Sequence, residues 1–211
     1  EFDRVHEAYK GPLHAEISPR AFSVVLRAGD RLNQLRVRRG SPTASDSAMR
    51  RLDRAVGLTD ADNKRIDGGL PLTADLSGID GEPIIGYRAK PHAGAIEMAR
   101  VGHYAVDEFW DPIPAPRDGG LILNPGDFYI LASRERVRVP PDHAAEMMPY
   151  DTLVGEFRVH YAGFFDPGFG WRDDGDGGTR AVLEVRSHEV PFVLEDGQVV
   201  GRLVYERLTE V

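Results

Sequence analysis

Residues 11–20 read GPLHAEISPR, and within them His14-Ala15-Glu16 fits H-x-E. A carboxylate two positions from an imidazole suggests hydrolytic chemistry: a metal-bound water with the Glu moving its protons. In the zinc enzymes that use this motif, the His and two or three cysteines hold Zn²⁺. This chain has no cysteine. Its histidines (His6, His14, His92, His103, His143, His160 and His188) are scattered, and none forms H-E-x-x-H or a comparable ligand pair. A zinc site is therefore not expected, and Glu16 needs another explanation.

The elements around Glu16 narrow the choice. Residues 12–26 alternate and then run apolar, RAGD at 27–30 is a turn, and RLNQLRV at 31–37 alternates again. Three strands with tight connections are expected. Leu13, Ala15 and Ile17 would share one face of the first strand, with His14 and Glu16 on the other. Residues 11–40 also align without a gap on residues 179–208. Glu16 falls on Glu184, Val25-Leu26 on Val193-Leu194, Gly29 on Gly197, Leu35 on Leu203 and Arg39 on Arg207. Apolar positions coincide as well: Leu13 with Ala181, Ala15 with Leu183, Ile17 with Val185, Val37 with Tyr205. A common Glu and a common turn Gly within one apolar pattern indicate a duplication.

The expected organisation is thus tandem. Residues 1–42 form the C-terminal part of a first domain, residues 43–65 a polar, partly helical linker, and residues 66–211 a second, complete copy. Asp46 or Ser47 would cap a helix running to Leu58. The chain opens at Glu1 in a polar stretch; if the copies match in length, about 120 residues of the first domain would precede it. Within the second copy, LPLTADL at 70–76 alternates, and GGLILNPGDFYILASRERVRVP at 119–140 reads as strand, Asn-Pro-Gly-Asp turn and long strand pair. WRDDGDGG at 171–178 is acidic, but it lacks the EF-hand spacing and its closing Glu, so a plain hairpin loop is expected.

Composition agrees with an all-β chain. Glycine (23) and proline (15) are abundant, and 41% hydrophobic content supports a packed core. A net charge of −8, with no basic tract longer than RVRR at 36–39, argues against a nucleic-acid surface. No apolar run reaches the roughly 18 residues needed to span a membrane. The lack of cysteine fits a cytoplasmic protein.

The series LNPGDFYILASRERVRVPPDHAAEMMPYDT, AGFFDPGFG, AVLEV and PFVLEDGQVVGRLVYERL resembles the dCTP deaminase branch of the dUTPase-like superfamily, and GPLHAEISPRAFSVVLRAGDRLNQLRV resembles the same final segment. The likeness covers nearly all of residues 119–211 and residues 11–38, and is weaker over 66–118. It implies a dUTPase-like distorted β-barrel (β-clip), tandem as in the long bacterial deaminases. Such barrels assemble as trimers with sites between subunits. The activity implied is hydrolysis of dCTP to dUTP and ammonia, with Mg²⁺ carried on the triphosphate and no zinc. Ligands would be dCTP or dUTP, with dTTP a further candidate.

The resemblance also carries site residues. Glu16 and Glu184 match the strand glutamate that acts as general acid/base. His14, Ala15, Val182 and Leu183 flank it in the two copies and would line the substrate. Asp166, in the Asp-Pro-Gly turn, matches the residue that meets the deoxyribose. Gln34 matches a Gln of the last barrel strand near the phosphates, where the second copy has Arg202. Arg20 and Arg27 are weaker phosphate candidates. Phe164, Phe165 and Phe169 are expected to be core. The family's Ser-Ser-x-x-Arg stretch has no counterpart in the second copy, which reads Met148-Pro149-Tyr150-Asp151-Thr152-Leu153 there. Leucine cannot replace an arginine gripping a triphosphate, so Glu16 is expected in the working copy and the second copy as a scaffold. A dUTP diphosphatase, an enzyme catalysing both steps, and a silent nucleotide-binding module remain alternatives.

Overall fold

The computed structural model describes residues 5–33, 36–62, 65–149, 157–159, 163–175, 177–187 and 189–209, by backbone alone at 149 and 157–159. In chain order the elements are β1 (Val24–Val25), α1 (Asp46–Val56), β2 (Leu70–Thr73), β3 (Ile84–Ala89), β4 (Ile96–Glu97), α2 (Val106–Phe109) and β5 (Trp110–Pro114). There follow β6 (Gly120–Leu123), β7 (Tyr129–Val137), β8 (His143–Pro149), β9 (Phe157–Val159), β10 (Phe164–Phe165), β11 (Thr179–Ser187), β12 (Phe192–Glu195) and β13 (Val199–Arg207). The fold is all-β, as expected.

Two sheets enclose the core. One has the order β5-β3-β7-β11-β9, the other β10-β8-β13-β2, and the β12-β6 ribbon lies beside them. Period-2 alternation explains the packing. In β11, Ala181, Leu183 and Val185 are fully buried, and in β13 Leu203 and Tyr205 are. They meet Leu70, Leu72, Leu131, Ala145 and Met147 in one apolar cluster. The Tyr205 hydroxyl donates to the Arg138 carbonyl at 2.8 Å, which satisfies the one polar atom of a side chain with no solvent exposure.

The turns follow from Pro and Gly. In Asn124-Pro125-Gly126-Asp127, Gly126 has φ +80° and the Asp127 N–H donates to the Asn124 carbonyl at 3.3 Å, the geometry of a type II turn. Asp166-Pro167-Gly168-Phe169 repeats it, with Gly168 at φ +86° and the Phe169 N–H on the Asp166 carbonyl at 3.0 Å.

The helix α1 starts one residue earlier than expected. Ser45 is its cap: its hydroxyl accepts the Ala48 N–H at 3.3 Å, and Gly57 ends the helix in the left-handed conformation. The Asp46 carboxylate instead accepts the N–H groups of Gly68 and Gly69, at 3.0 and 3.3 Å, and so fixes the entry to β2. Met49, Leu58 and Ile66 are buried in the second copy's core, so the 45–66 segment packs on that body.

The first-copy segment differs from the expectation of three strands. Among its described residues only Val24 and Val25 form a strand, pairing in parallel with Ile96 and Glu97. The apolar residues that should be covered are open: Leu13 is 58% exposed, Ile17 44% and Val37 92%, whereas their second-copy equivalents Ala181, Val185 and Tyr205 are at 0%. The reason is non-local. The strand β11 is a strand because β7 and β9 complete its hydrogen bonds. Among the described residues, no strand flanks residues 12–17 in this way.

Candidate active site

Glu184 occupies the middle of β11, directly across from Ile130 of β7. Its neighbours Leu183 and Val185 turn into the core and are fully buried, so Val182 (50% exposed), Glu184 and Arg186 lie on the opposite face. Glu184 is half-buried, and no hydrogen bond or ion pair meets its carboxylate among the described residues. Burial therefore pushes the carboxyl above its ordinary value. A carboxyl tuned upward can take a proton from water and return it near neutral pH.

The first-copy segment passes beside this strand. Arg186 stacks 5.2 Å from the centroid of Phe128 and donates to the Arg20 carbonyl at 3.2 Å. Burial and the nearby Arg20 charge lower the Arg186 guanidinium from its ordinary value. Two residues on, Phe22 meets Phe109 and Trp110 edge-on, with centroids at 5.3 and 5.1 Å. Arg27 then pairs with Glu97 at 3.0 Å. Of the two weaker phosphate candidates, Arg27 thus spends its guanidinium on Glu97, whereas Arg20 contributes its backbone carbonyl to Arg186.

The remaining expected residues are spread out. His14, Ala15 and Glu16 are exposed, and neither His14 nor Glu16 has a hydrogen bond or ion pair among the described residues. Leu183 belongs to the core. Gln34 and residues 150–156, which include most of the stretch that replaces Ser-Ser-x-x-Arg, lie outside the described residues. Asp166 is largely exposed, but Nη2 of Arg36 approaches its Oδ1 at 3.4 Å. Phe165 and Phe169 pack edge-on at 5.0 Å as core, whereas Phe164 is 43% exposed and carries the Arg36 guanidinium 3.9 Å above its ring. The one sign of Arg36 and Arg38 in the sequence is the short basic tract they share, which does not mark them as contact residues.

A shallow cleft of about 220 Å³ is lined by residues including Arg88, Asp111, Leu121 and Tyr129. It contains none of the expected site residues and falls below the roughly 300 Å³ typical of ligand pockets. No group of three or more His, Asp or Glu side chains is placed to hold a metal ion among the described residues. No described helix is long and apolar enough to cross a membrane.

Comparison with known proteins decides the family. The model of the 2'-deoxycytidine 5'-triphosphate deaminase C-terminal domain matches residues 45–211, and that of the N-terminal domain matches residues 1–41. The chain belongs to the dCTP deaminase family. It is similar to the crystal structure of 2'-deoxycytidine 5'-triphosphate deaminase from Agrobacterium tumefaciens, with a TM-score of 0.76 and 51% identity over 81% of this chain and 49% of that one. Among curated relatives, the "dCTP deaminase, dUMP-forming" of Halobacterium salinarum is 33% identical over 108 residues, covering 49% of this chain and 51% of the relative. Its namesake from Methanobrevibacter smithii is 29% identical over 107 residues, with the same coverage of each chain. The chain therefore spans about half the length of the dCTP deaminases it matches.

Proposed function

We propose that this chain is part of an enzyme that hydrolyses dCTP to dUTP and ammonia. The observation that carries the reading is the environment of Glu184: a carboxylate in mid-strand, half-buried and raised by burial, at the position the repeat shares with Glu16. A strand that covers Leu13, Ala15 and Ile17 would give Glu16 the same setting. Glu16 is then the base. It takes a proton from the water attacking C4 of cytosine and delivers it to N3; the proton left on the C4 hydroxyl is then passed to the amine, so that the C4–N bond breaks, ammonia leaves and a C4 carbonyl remains. The second copy serves as scaffold, because no arginine stands in the stretch that should grip the triphosphate.

Mg²⁺ arrives on the nucleotide as part of the substrate and neutralises phosphate charge there. The subunits assemble as trimers, with sites between barrels, in the cytoplasm, and dTTP is a further candidate ligand. The names of the relatives favour a second reading, in which a further water attacks the α-phosphate of dUTP and releases pyrophosphate to leave dUMP.

The test is ammonia and pyrophosphate release from dCTP and from dUTP with Mg²⁺, using the protein at its full natural length. Ammonia lost in Glu16→Gln and retained in Glu184→Gln is expected. No ammonia from the unmodified protein overturns the deaminase reading, and pyrophosphate from dUTP establishes the second step.

A further inference from the structure

Residues 36–38 seat on the second copy through two arginines. Residues two apart in an extended segment point the same way, and Val37 between them is 92% exposed. Arg36 lies over Phe164 and reaches Asp166, with its side chain only 19% exposed. Arg38 donates to Glu146 through Nη2, lies 2.9 Å from Oε1 of Glu206 through the same atom, and donates to Oε2 of Glu206 through Nε at 3.2 Å. These acceptors form one surface. Phe164 of β10 pairs with Glu146 of β8, and Glu206 of β13 pairs with Ala144 of β8. Glu206 is only 8% exposed, so its charge needs a partner.

The repeat adds a second fact. Arg38 and Glu206 are the same position in the two copies, one residue before the matched Arg39 and Arg207. A second copy facing another second copy here would set Glu206 against Glu146 and Glu206, like against like. The first copy brings Arg38 and resolves the clash. Repulsion between like copies together with attraction between unlike ones is how specificity is built.

We propose that Arg36 and Arg38 form a charge-coded clasp that pairs the first copy with the second, and that the Asp166 turn is the seat for Arg36 rather than a sugar contact. The clasp rests on the fold and its contacts, not on the reaction, so it can stand or fall independently of the deaminase reading.

Hydrogen exchange at residues 36–44 tests it. Arg38→Glu and Glu206→Arg should each speed exchange there about tenfold, and their combination should restore it to within about threefold. Arg38→Gln and Glu206→Gln serve if a reversal fails to fold: each alone should give the faster exchange, and the pair should be no worse than either. Unchanged exchange in the single variants, or fully additive effects in the pair, overturns the clasp. Asp166→Asn should likewise speed exchange at residues 36–40, with no further effect from adding Arg36→Gln. Asp166→Asn that leaves exchange untouched and weakens dCTP binding overturns the seat and restores Asp166 to the sugar.

Discussion

Glu184 faces Ile130 across the β11–β7 ladder, a carboxylate opposite an aliphatic side chain with no cation paired to it among the described residues. Burial raises its folded value above the unfolded one, near 4.5. The folded state therefore binds the proton more tightly, and stability falls as pH rises from the unfolded value through the raised one. Glu184→Gln should be more stable than the parent at pH 7 and no more stable below pH 4.5. Urea titrations at the two pH values give the comparison, and a variant less stable at pH 7 would contradict the assignment.

Asp75 presents the opposite sign. Burial pushes it up, but hydrogen bonds from the Ser77 hydroxyl and N–H, together with Arg180, outweigh this and hold it below 3.8. Arg180 Nη1 lies 2.7 Å from its Oδ2, and the Asp75 side chain is 5% exposed. Its contribution is full above the unfolded value and is lost as pH falls through the lowered one. Asp75→Asn leaves Arg180 without its buried partner and should cost about 3 kcal/mol at pH 7. The deficit should shrink in acid, where the parent's own carboxylate is being protonated.

Phe22 is the aromatic anchor of the first-copy segment. Phe22→Leu should keep the apolar contact but lose the edge-on geometry with Phe109 and Trp110, at about 1 kcal/mol. Phe22→Ala should cost about 2 kcal/mol and open residues 20–27 to limited proteolysis while the barrel stays intact.

The two ends of α1 can be weighed separately. Ser45→Ala removes the hydroxyl that caps Ala48 and should lower stability by about 1 kcal/mol. Gly57→Ala meets two costs, a φ of +65° and a new Cβ 3.2 Å from Arg138 Nη1, and should lose at least about 1 kcal/mol. Thermal unfolding of both variants provides the measurement.

Much of the barrel was legible because its signals are local. Pro125-Gly126 and Pro167-Gly168 specify their turns within four residues, and alternation in β11 and β13 identifies the buried face. The first copy shows the limit. Residues 12–38 carry the same alternation as 180–206, yet their described residues form only β1, because alternation selects a face and cannot supply a neighbouring strand. The raised Glu184 followed from its place on the strand. The aromatic group of Phe22, Tyr104, Phe109 and Trp110 did not, since Phe22 lies far in sequence from the other three and nothing in the pattern ties it to them.

The parallel pair of β1 and β4 is only two residues long, so side chains do most of the holding among the described residues of 20–38. These grips are arranged in series: the aromatics at Phe22, the ion pair at Arg27, then Arg36 and Arg38. A pull on the leading end of the chain would load them one at a time and peel the segment like tape from a curved surface. The barrel, whose long strands β7, β11 and β13 would have to shear side by side, would feel the force only after the last arginine had let go.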